Sequence, residues 1–77
     1  MNELELLYDF ANNLRHCMKE QDLTQSDLAR ESHISQPTIS AYLNARKMPT
    51  MKSIINICCA LECEFDDLLP FVTSPIE

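Results

Sequence analysis

The sequence predicts a compact, all-α domain of five helices, and three observations support this fold class. The chain has 77 residues, enough for one domain. Apolar residues in its first twenty positions recur at steps of three and four, the spacing of one face of a helix. Further along, four segments each place an apolar residue before a capping position and a second apolar residue five positions later. We therefore predict a single domain over residues 1–77, with an irregular tail at residues 70–77.

The first predicted helix runs from about residue 3 to residue 20. Asn2, followed by Glu5, has the spacing of a capping box at its start. The apolar stripe of this helix consists of Leu4, Leu7, Phe10, Ala11, Leu14, Cys17 and Met18.

The remaining four helices are predicted from a repeated hydrophobic staple, which fixes how the chain enters a helix. The staple pairs are Leu23 with Leu28, Ile34 with Ile39, Pro49 with Ile54, and Cys63 with Leu68. These pairs predict helix starts near Gln25, Gln36, Met51 and Phe65. Pro70 cannot continue a helix and ends the last one.

Charge is distributed unevenly along the chain. The formal net charge is −6, but residues 32–61 contain Arg46, Lys47 and Lys52 and no acid, so this segment carries +3. Residues 1–14 carry −3 and residues 62–77 carry −5. Such asymmetry favours one face kept clear of negative charge, where a polyanion could bind. Alternatively, the three basic residues are ordinary surface charges.

Four cysteines could form disulfides in a secreted protein, but nothing in the sequence indicates export. We therefore expect all four thiols to be reduced. No apolar run approaches a membrane span and the N-terminus does not resemble a signal peptide, so we expect a cytoplasmic protein with no membrane partner. A zinc site could draw on His16 and the thiols, but no C-x2-C pair is present. We expect no metal and no cofactor. We predict that Cys17, Cys58 and Cys63 act as small buried apolar residues and that Cys59 is partly exposed.

Three stretches carry a recognisable motif: LTQSDLA at residues 23–29, ISQPTIS at residues 34–40, and a following set of Tyr42, Asn44, Pro49 and Thr50. They resemble the lambda-repressor-like helix-turn-helix family, also called the XRE/Cro family, and the resemblance covers about residues 14–69. It implies a helix-turn-helix motif at about residues 24–43. It also implies that the third helix enters the major groove of double-stranded DNA, usually as part of a homodimer on a palindromic operator.

Outward positions of the third helix are uncharged, which lets a helix approach base edges closely. The predicted base-reading residues are Gln36, Pro37, Ser40 and Ala41. Gln36 suits N6 and N7 of adenine, and Pro37 or Ala41 suits a thymine methyl group. From the resemblance and the charges, the predicted contacts to the DNA backbone are Gln25, Ser35, Thr38, Asn44, Arg46, Lys47 and Lys52. The alternative is that these are simply solvated residues. Tyr42 is expected in the core.

This chain departs from the family pattern at its helix ends. The family often has glycine where Asp22, His33, Ala45 and Glu62 stand, and this chain has no glycine. Asp and His tolerate a positive φ better than most residues, whereas Ala45 and Glu62 would be strained, so we expect altered loops there. The family also tends to have glutamate at the position of Leu43 and a basic residue at that of Ala41, which favours lowered DNA affinity here.

The sequence therefore predicts a sequence-specific DNA-binding transcriptional regulator, a repressor, and not an enzyme. Without glycine it has no phosphate-binding loop, and it has no H-E-x-x-H motif. We expect no small-molecule effector, because 77 residues leave no room for a ligand domain. The alternative is a protein-interaction module of the same fold, resembling an antirepressor or antitoxin.

We expect a homodimer, because one motif covers only half of a palindromic site. The C-terminal end supplies the predicted seam, which consists of Phe65, Leu69, Phe71, Val72 and Ile76. The alternative seam is the first helix, through Leu4, Leu7 and Tyr8.

Overall fold

The computed structural model describes residues 2–70, which form five helices joined by short turns. The helices are α1 (Glu3–Glu20), α2 (Gln25–Ser32), α3 (Gln36–Leu43), α4 (Met51–Leu61) and α5 (Phe65–Leu68). The predicted fold class, the extent of the first helix and the four later helix starts are confirmed. None of the helices within residues 2–70 is long and apolar enough to cross a membrane.

The helix starts are held by their capping residues. Thr24 Oγ1 accepts a hydrogen bond from the Asp27 N–H at 3.1 Å, and the Asp27 carboxylate accepts one from the Thr24 N–H at 3.1 Å. Two backbone donors at the start of α2 are thereby satisfied. At α1, Asn2 Oδ1 accepts from the Glu5 N–H at 2.8 Å, which forms one of the two bonds of the predicted capping box.

All five helices contribute to one core. Tyr42 is only 2% exposed and its ring meets the edge of the Phe10 ring, with centroids 5.8 Å apart and planes at 76°. The prediction that Tyr42 belongs to the core is therefore confirmed. The buried cluster consists of Phe10, Leu14, Cys17, Met18, Leu28, Ile39, Tyr42, Leu43, Ile54, Ile57, Leu61, Leu68 and Leu69.

The long helix α1 fixes the ends of two shorter helices. Arg15 Nη2 donates a hydrogen bond to the Leu43 carbonyl at the end of α3, at 3.1 Å. Asn13 Nδ2 donates to the Leu68 carbonyl at the end of α5, also at 3.1 Å. Carbonyl groups in the last turn of a helix lack donors within the helix, so both bonds satisfy groups that would otherwise need water.

Each turn between helices contains one left-handed residue that is not glycine. The φ angles are 59° at Asp22, 60° at His33, 56° at Ala45 and 52° at Glu62. The expectation of altered loops at Ala45 and Glu62 is therefore wrong. Both positions keep the backbone that a glycine would adopt, because the packing of the helices on either side fixes where the chain must reverse.

The structure gives the exposure of the seam residues that lie within residues 2–70. Leu69 is only 6% exposed and Phe65 is half-buried against the core, so both side chains are used within the protomer. The sequence supplied the number of apolar residues but not the packing of these two side chains against the core. Phe71, Val72 and Ile76 lie outside the described residues. On α1, Leu4 and Tyr8 are exposed and Leu7 is half-buried.

Three thiols from α1, α4 and the turn after α4 lie close together. Cys17 is buried, Cys58 and Cys63 are half-buried, and Cys59 is exposed. Burial raises the pKa of the Cys17, Cys58 and Cys63 thiols above the ordinary value, which keeps them protonated. Within residues 2–70, no group of three His, Cys, Asp or Glu side chains is arranged to hold a metal ion.

Candidate nucleic-acid interface

The start of α3 is rigidly defined. Ser35 Oγ accepts from the Thr38 N–H at 3.3 Å and donates to Thr38 Oγ1 at 2.8 Å. Pro37, in the first turn, has a φ angle that already suits a helix and no N–H that would need a partner there. The hydroxyl hydrogen of Ser35 is used within the cap. A contact from Ser35 to a DNA phosphate would therefore come from its backbone N–H.

The four predicted base-reading residues share one face of α3. Their spacing of one and four residues places them on adjacent helical positions. Gln36 and Pro37 are exposed, whereas Ser40 and Ala41 are half-buried. The opposite face is formed by Ile39, which is completely buried, and its neighbours in the core. This face of α3 has a polar amide and a hydroxyl group among small apolar groups and has no charge, so a base edge could approach it closely.

Gln36 is linked to α2. Its Oε1 atom accepts a hydrogen bond from Ser26 Oγ at 3.3 Å, between the first turns of α2 and α3. Sequence reasoning did not identify this pair. A separation of ten residues across a turn has no periodic pattern, and both side chains look like ordinary solvated residues.

The C-terminal end of α3 is fully paired. Its last four carbonyl groups each accept a hydrogen bond: Ser40 from the Asn44 N–H, Ala41 from the Arg46 N–H, Tyr42 from the Ala45 N–H, and Leu43 from the Arg15 guanidinium. The last turn of α3 contains no basic residue, so the positive charge that complements its dipole comes from α1. Both ends of the helix are therefore fixed in place.

Asn44 has its amide hydrogens engaged at this end of α3. Its Nδ2 atom donates to the Ser40 carbonyl at 2.8 Å and to Ser40 Oγ at 3.3 Å. An amide group has only two hydrogens, so the predicted contact from Asn44 to a phosphate would require one of these bonds to be exchanged.

Basic residues flank α3 on the side of its C-terminus. Arg46 and Lys47 follow α3 directly, and Lys52 is the second residue of α4. All three side chains are exposed. Because Ala45 is left-handed, the chain turns sharply between α3 and this basic pair, which the structure therefore places just beyond the end of the helix.

A groove of about 350 Å³ brings two further basic residues to the predicted interface. It is lined by Arg15, Met18, Lys19, Leu23, Gln25 and Leu43. Gln25 begins α2 and was predicted to contact a phosphate, so Arg15 and Lys19 add positive charge beside that position. Sequence reasoning missed both, because residues 15–31 contain more acidic than basic residues and read as nearly neutral.

Asp27, the acidic residue of the motif, takes part in the N-terminal cap of α2. The Thr24 backbone N–H, then the Thr24 side chain and Arg30 hold the pKa of Asp27 below its ordinary value of 3.8. Arg30 Nη2 lies 3.2 Å from Asp27 Oδ1. The Asp27 carboxylate thus stays ionised at neutral pH, and its charge is partly compensated by these donors.

Comparison with known proteins identifies relatives of this chain. A family model described as helix-turn-helix matches residues 14–68, which is most of the chain. An uncharacterized HTH-type transcriptional regulator, YqaE of Bacillus subtilis (strain 168), is 37% identical over 60 residues. That alignment covers 78% of this chain and 52% of the relative, so the chain spans about half the length of the curated relative it matches.

Several solved structures share the fold, and two of them show the extent of the likeness. One is a hypothetical transcription factor, NHTF, from Neisseria, at 25% identity and a TM-score of 0.79, covering 90% of this chain and 79% of that one. The other is the wild-type restriction-modification controller protein C.Esp1396I, at 25% identity and a TM-score of 0.75, covering 92% of this chain and 96% of that one.

Proposed function

Because the chain belongs to the lambda-repressor-like (XRE) helix-turn-helix family of transcriptional regulators, we propose that it represses transcription by binding a palindromic DNA operator as a dimer. In this proposal α3 lies in the major groove, and its first two turns contact base edges. The basic residues that follow α3, together with polar residues of the motif, contact phosphates and set the position of α3 along the duplex.

The exposed, acid-free face of α3 supports this proposal most directly. An acid on the same face would be repelled by the phosphates on either side of the groove. The first acid after α3 in the sequence is Glu62, at the end of α4. The net charge of −6 therefore says little about this face, because the negative charge is concentrated towards the two ends of the chain.

The proposed roles divide into base reading and backbone contact. Gln36 pairs with adenine, and Pro37 or Ala41 contacts a thymine methyl group. Ser40 is the fourth proposed base-reading residue. The proposed backbone contacts are Gln25, Ser35, Thr38, Asn44, Arg46, Lys47 and Lys52. Ser35 would use its backbone N–H, and Asn44 would exchange one of its two bonds to Ser40.

A selection experiment followed by mobility shifts tests the proposal. Random duplexes bound by the full chain are enriched, and affinity for the selected duplex is measured over a series of salt concentrations. Gln36→Ala should cost about 1 to 3 kcal/mol on the selected duplex and relax the preference at one base pair. Lys47→Ala should weaken binding to every duplex and reduce the slope of log K against log salt by about one unit.

Arg30→Ala is the control for charge removal. It also deletes one positive charge, but from an arginine that pairs with Asp27 on α2, so the salt slope should not change. If no duplex is enriched, or if Gln36→Ala weakens all duplexes equally while Lys47→Ala has no effect, α3 does not read bases as proposed. A protein-interaction module of the same fold would then be the better description.

The proposed dimer seam uses the apolar residues at the C-terminal end, Phe65, Leu69, Phe71, Val72 and Ile76. Leu69 is 6% exposed in the protomer, so the test variants change other residues. The acids at positions 62, 64, 66 and 67 favour this end, since they would then lie away from DNA. Sedimentation equilibrium compares the full chain with a Phe71→Ser, Val72→Ser variant and a Leu4→Ser, Tyr8→Ser variant. The first variant should raise the dimer dissociation constant about tenfold or more. If only the second does, the exposed face of α1 is the seam instead.

A further inference from the structure

We propose that Ser26 is a positioning residue for sequence recognition: its hydroxyl group holds the Gln36 amide in the orientation that reads one base pair. This inference deepens the proposed function and rests on it. Ser26 itself is assigned no contact with DNA. It acts through Gln36, so its effect should be confined to the one base pair that Gln36 reads.

The geometry starts from two capped helices. Ser26 is the second residue of α2 and Gln36 is the first residue of α3. Thr24 caps α2 and Ser35 caps α3 through side-chain hydrogen bonds to the backbone. The backbone beneath both side chains is therefore fixed, and the bond from Ser26 Oγ to Gln36 Oε1, at 3.3 Å, joins two well-defined positions.

The direction of this bond suits recognition of adenine. A glutamine that reads adenine accepts from N6 through its Oε1 atom and donates to N7 through its Nε2 atom. A carbonyl oxygen has two lone pairs, so Oε1 can accept from the Ser26 hydroxyl and from the base at the same time. Both amide hydrogens of Gln36 are left for the base. Ser26 therefore supports the reading geometry without competing with it.

The expected benefit is pre-organisation. An exposed glutamine has many rotamers and loses much of that freedom when it docks against a base. A bond that already selects the docked orientation reduces this cost before DNA arrives. Because both side chains are exposed, the bond is worth only a typical hydrogen bond, so losing it should weaken operator binding by about two- to tenfold.

A double-mutant cycle on the full chain tests the inference. The probe is the duplex selected by the wild-type chain, together with the three duplexes that carry the other bases at the pair read by Gln36. Ser26→Ala should weaken binding to the selected duplex by about two- to tenfold. It should leave the substituted duplexes and the salt slope unchanged. Ser26→Thr keeps a hydroxyl group and should restore most of the affinity.

The decisive comparison is with Gln36→Ala. In that background Ser26→Ala should have no effect, since the group it positions is gone. Equal weakening of all duplexes by Ser26→Ala, a reduced salt slope, or an undiminished effect in the Gln36→Ala background would overturn the positioning role. In each of these cases the proposed function could still stand. If Gln36→Ala leaves base preference unchanged, the base-reading assignment and the role of Ser26 both fail. Thermal unfolding midpoints of the variants confirm that each remains folded.

Discussion

The two turns that flank α2 and the two that flank α4 each contain one left-handed residue, but they use different residue types for it. Asp22 and His33 stand at the ends of α1 and α2, and Ala45 and Glu62 stand at the ends of α3 and α4. All four have φ between 52° and 60°. Asp and His are among the residues that tolerate this region best, whereas Ala and Glu are not.

The difference teaches that packing, rather than the residue at the turn, determines the backbone here. Ile34 and Cys63, the residues that follow His33 and Glu62, are both packed against the core. Their N–H groups donate to carbonyls of the preceding helix, Ala29 at 3.2 Å and Cys58 at 3.1 Å. These contacts are formed whatever side chain occupies the turn. The turns around α4 should therefore hold strain that those around α2 largely avoid.

Arg15→Ala should give the largest stability change, because it removes the tie from α1 to the end of α3 beside Ala45. Losing this charged donor to the Leu43 carbonyl should lower the free energy of unfolding by about 1 to 1.5 kcal/mol. The value is small for a hydrogen bond from a charged group because Arg15 is exposed. Urea denaturation measures this. Lys19→Ala removes a positive charge from the same helix and is the control. A cost for Arg15→Ala no greater than that of Lys19→Ala would contradict the capping role.

Glycine substitutions test the comparison between the turns directly. Ala45→Gly and Glu62→Gly should each stabilise the protein by about 0.5 to 1 kcal/mol, because the relief of left-handed strain exceeds the added entropy of the unfolded chain. Asp22→Gly and His33→Gly should change stability by less than about 0.5 kcal/mol. Glu62→Gln separates the effect of charge from that of the backbone. Equal responses at all four positions in urea denaturation would refute the difference in strain.

The smallest expected change in stability concerns the N-terminal cap of α2, which directly follows the turn that contains Asp22. The pKa of Asp27 is lower in the folded chain than its ordinary value of 3.8, so ionised Asp27 stabilises the fold above that pH. This contribution should begin to fall near pH 3.8, where Asp27 of the unfolded chain takes up a proton, and should be lost as the pH drops through the lower pKa of the folded chain. Denaturation curves between neutral pH and about pH 2.5 should show a weaker pH dependence in Asp27→Asn.

Arg30→Ala provides the control for this prediction. The Thr24 N–H is the main cause of the lowered pKa of Asp27 and Arg30 a lesser one, so the Arg30→Ala variant should retain most of the acid dependence. If Arg30→Ala removes it as completely as Asp27→Asn does, the ion pair rather than the cap accounts for the lowered pKa.

Much of the fold could be predicted because its signals are local. Thr24 and Ser35, with the apolar residues before and after them, mark the starts of α2 and α3, and the structure confirms both. The turns could not be predicted as well. The sequence shows that Ala45 and Glu62 are unfavourable for a left-handed backbone, but not that the surrounding packing is strong enough to impose it. The burial of Leu69 was not predicted for a similar reason, since it depends on packing against residues distant in the sequence.

The same distinction between local signals and long-range contacts applies to the candidate interface. Helical spacing was enough to place Gln36 and Ser40 on one face of α3. Two hydrogen bonds hold that face: one joins Arg15 to Leu43 across 28 residues, and the other joins Ser26 to Gln36 across ten. Neither produces a periodic pattern in the sequence. They depend on where two helices meet and on side-chain directions, which spacing along a single helix does not contain.

The unequal exposure of the thiols makes the protein convenient to label. Cys59 is exposed on α4, while Cys17, Cys58 and Cys63 are shielded and protonated at neutral pH. A maleimide dye or nitroxide should therefore attach first at Cys59, without removal of the other cysteines. In a two-fold dimer each protomer would carry one probe on α4. The distance between the two spin labels would then report how the protomers are arranged, with and without DNA.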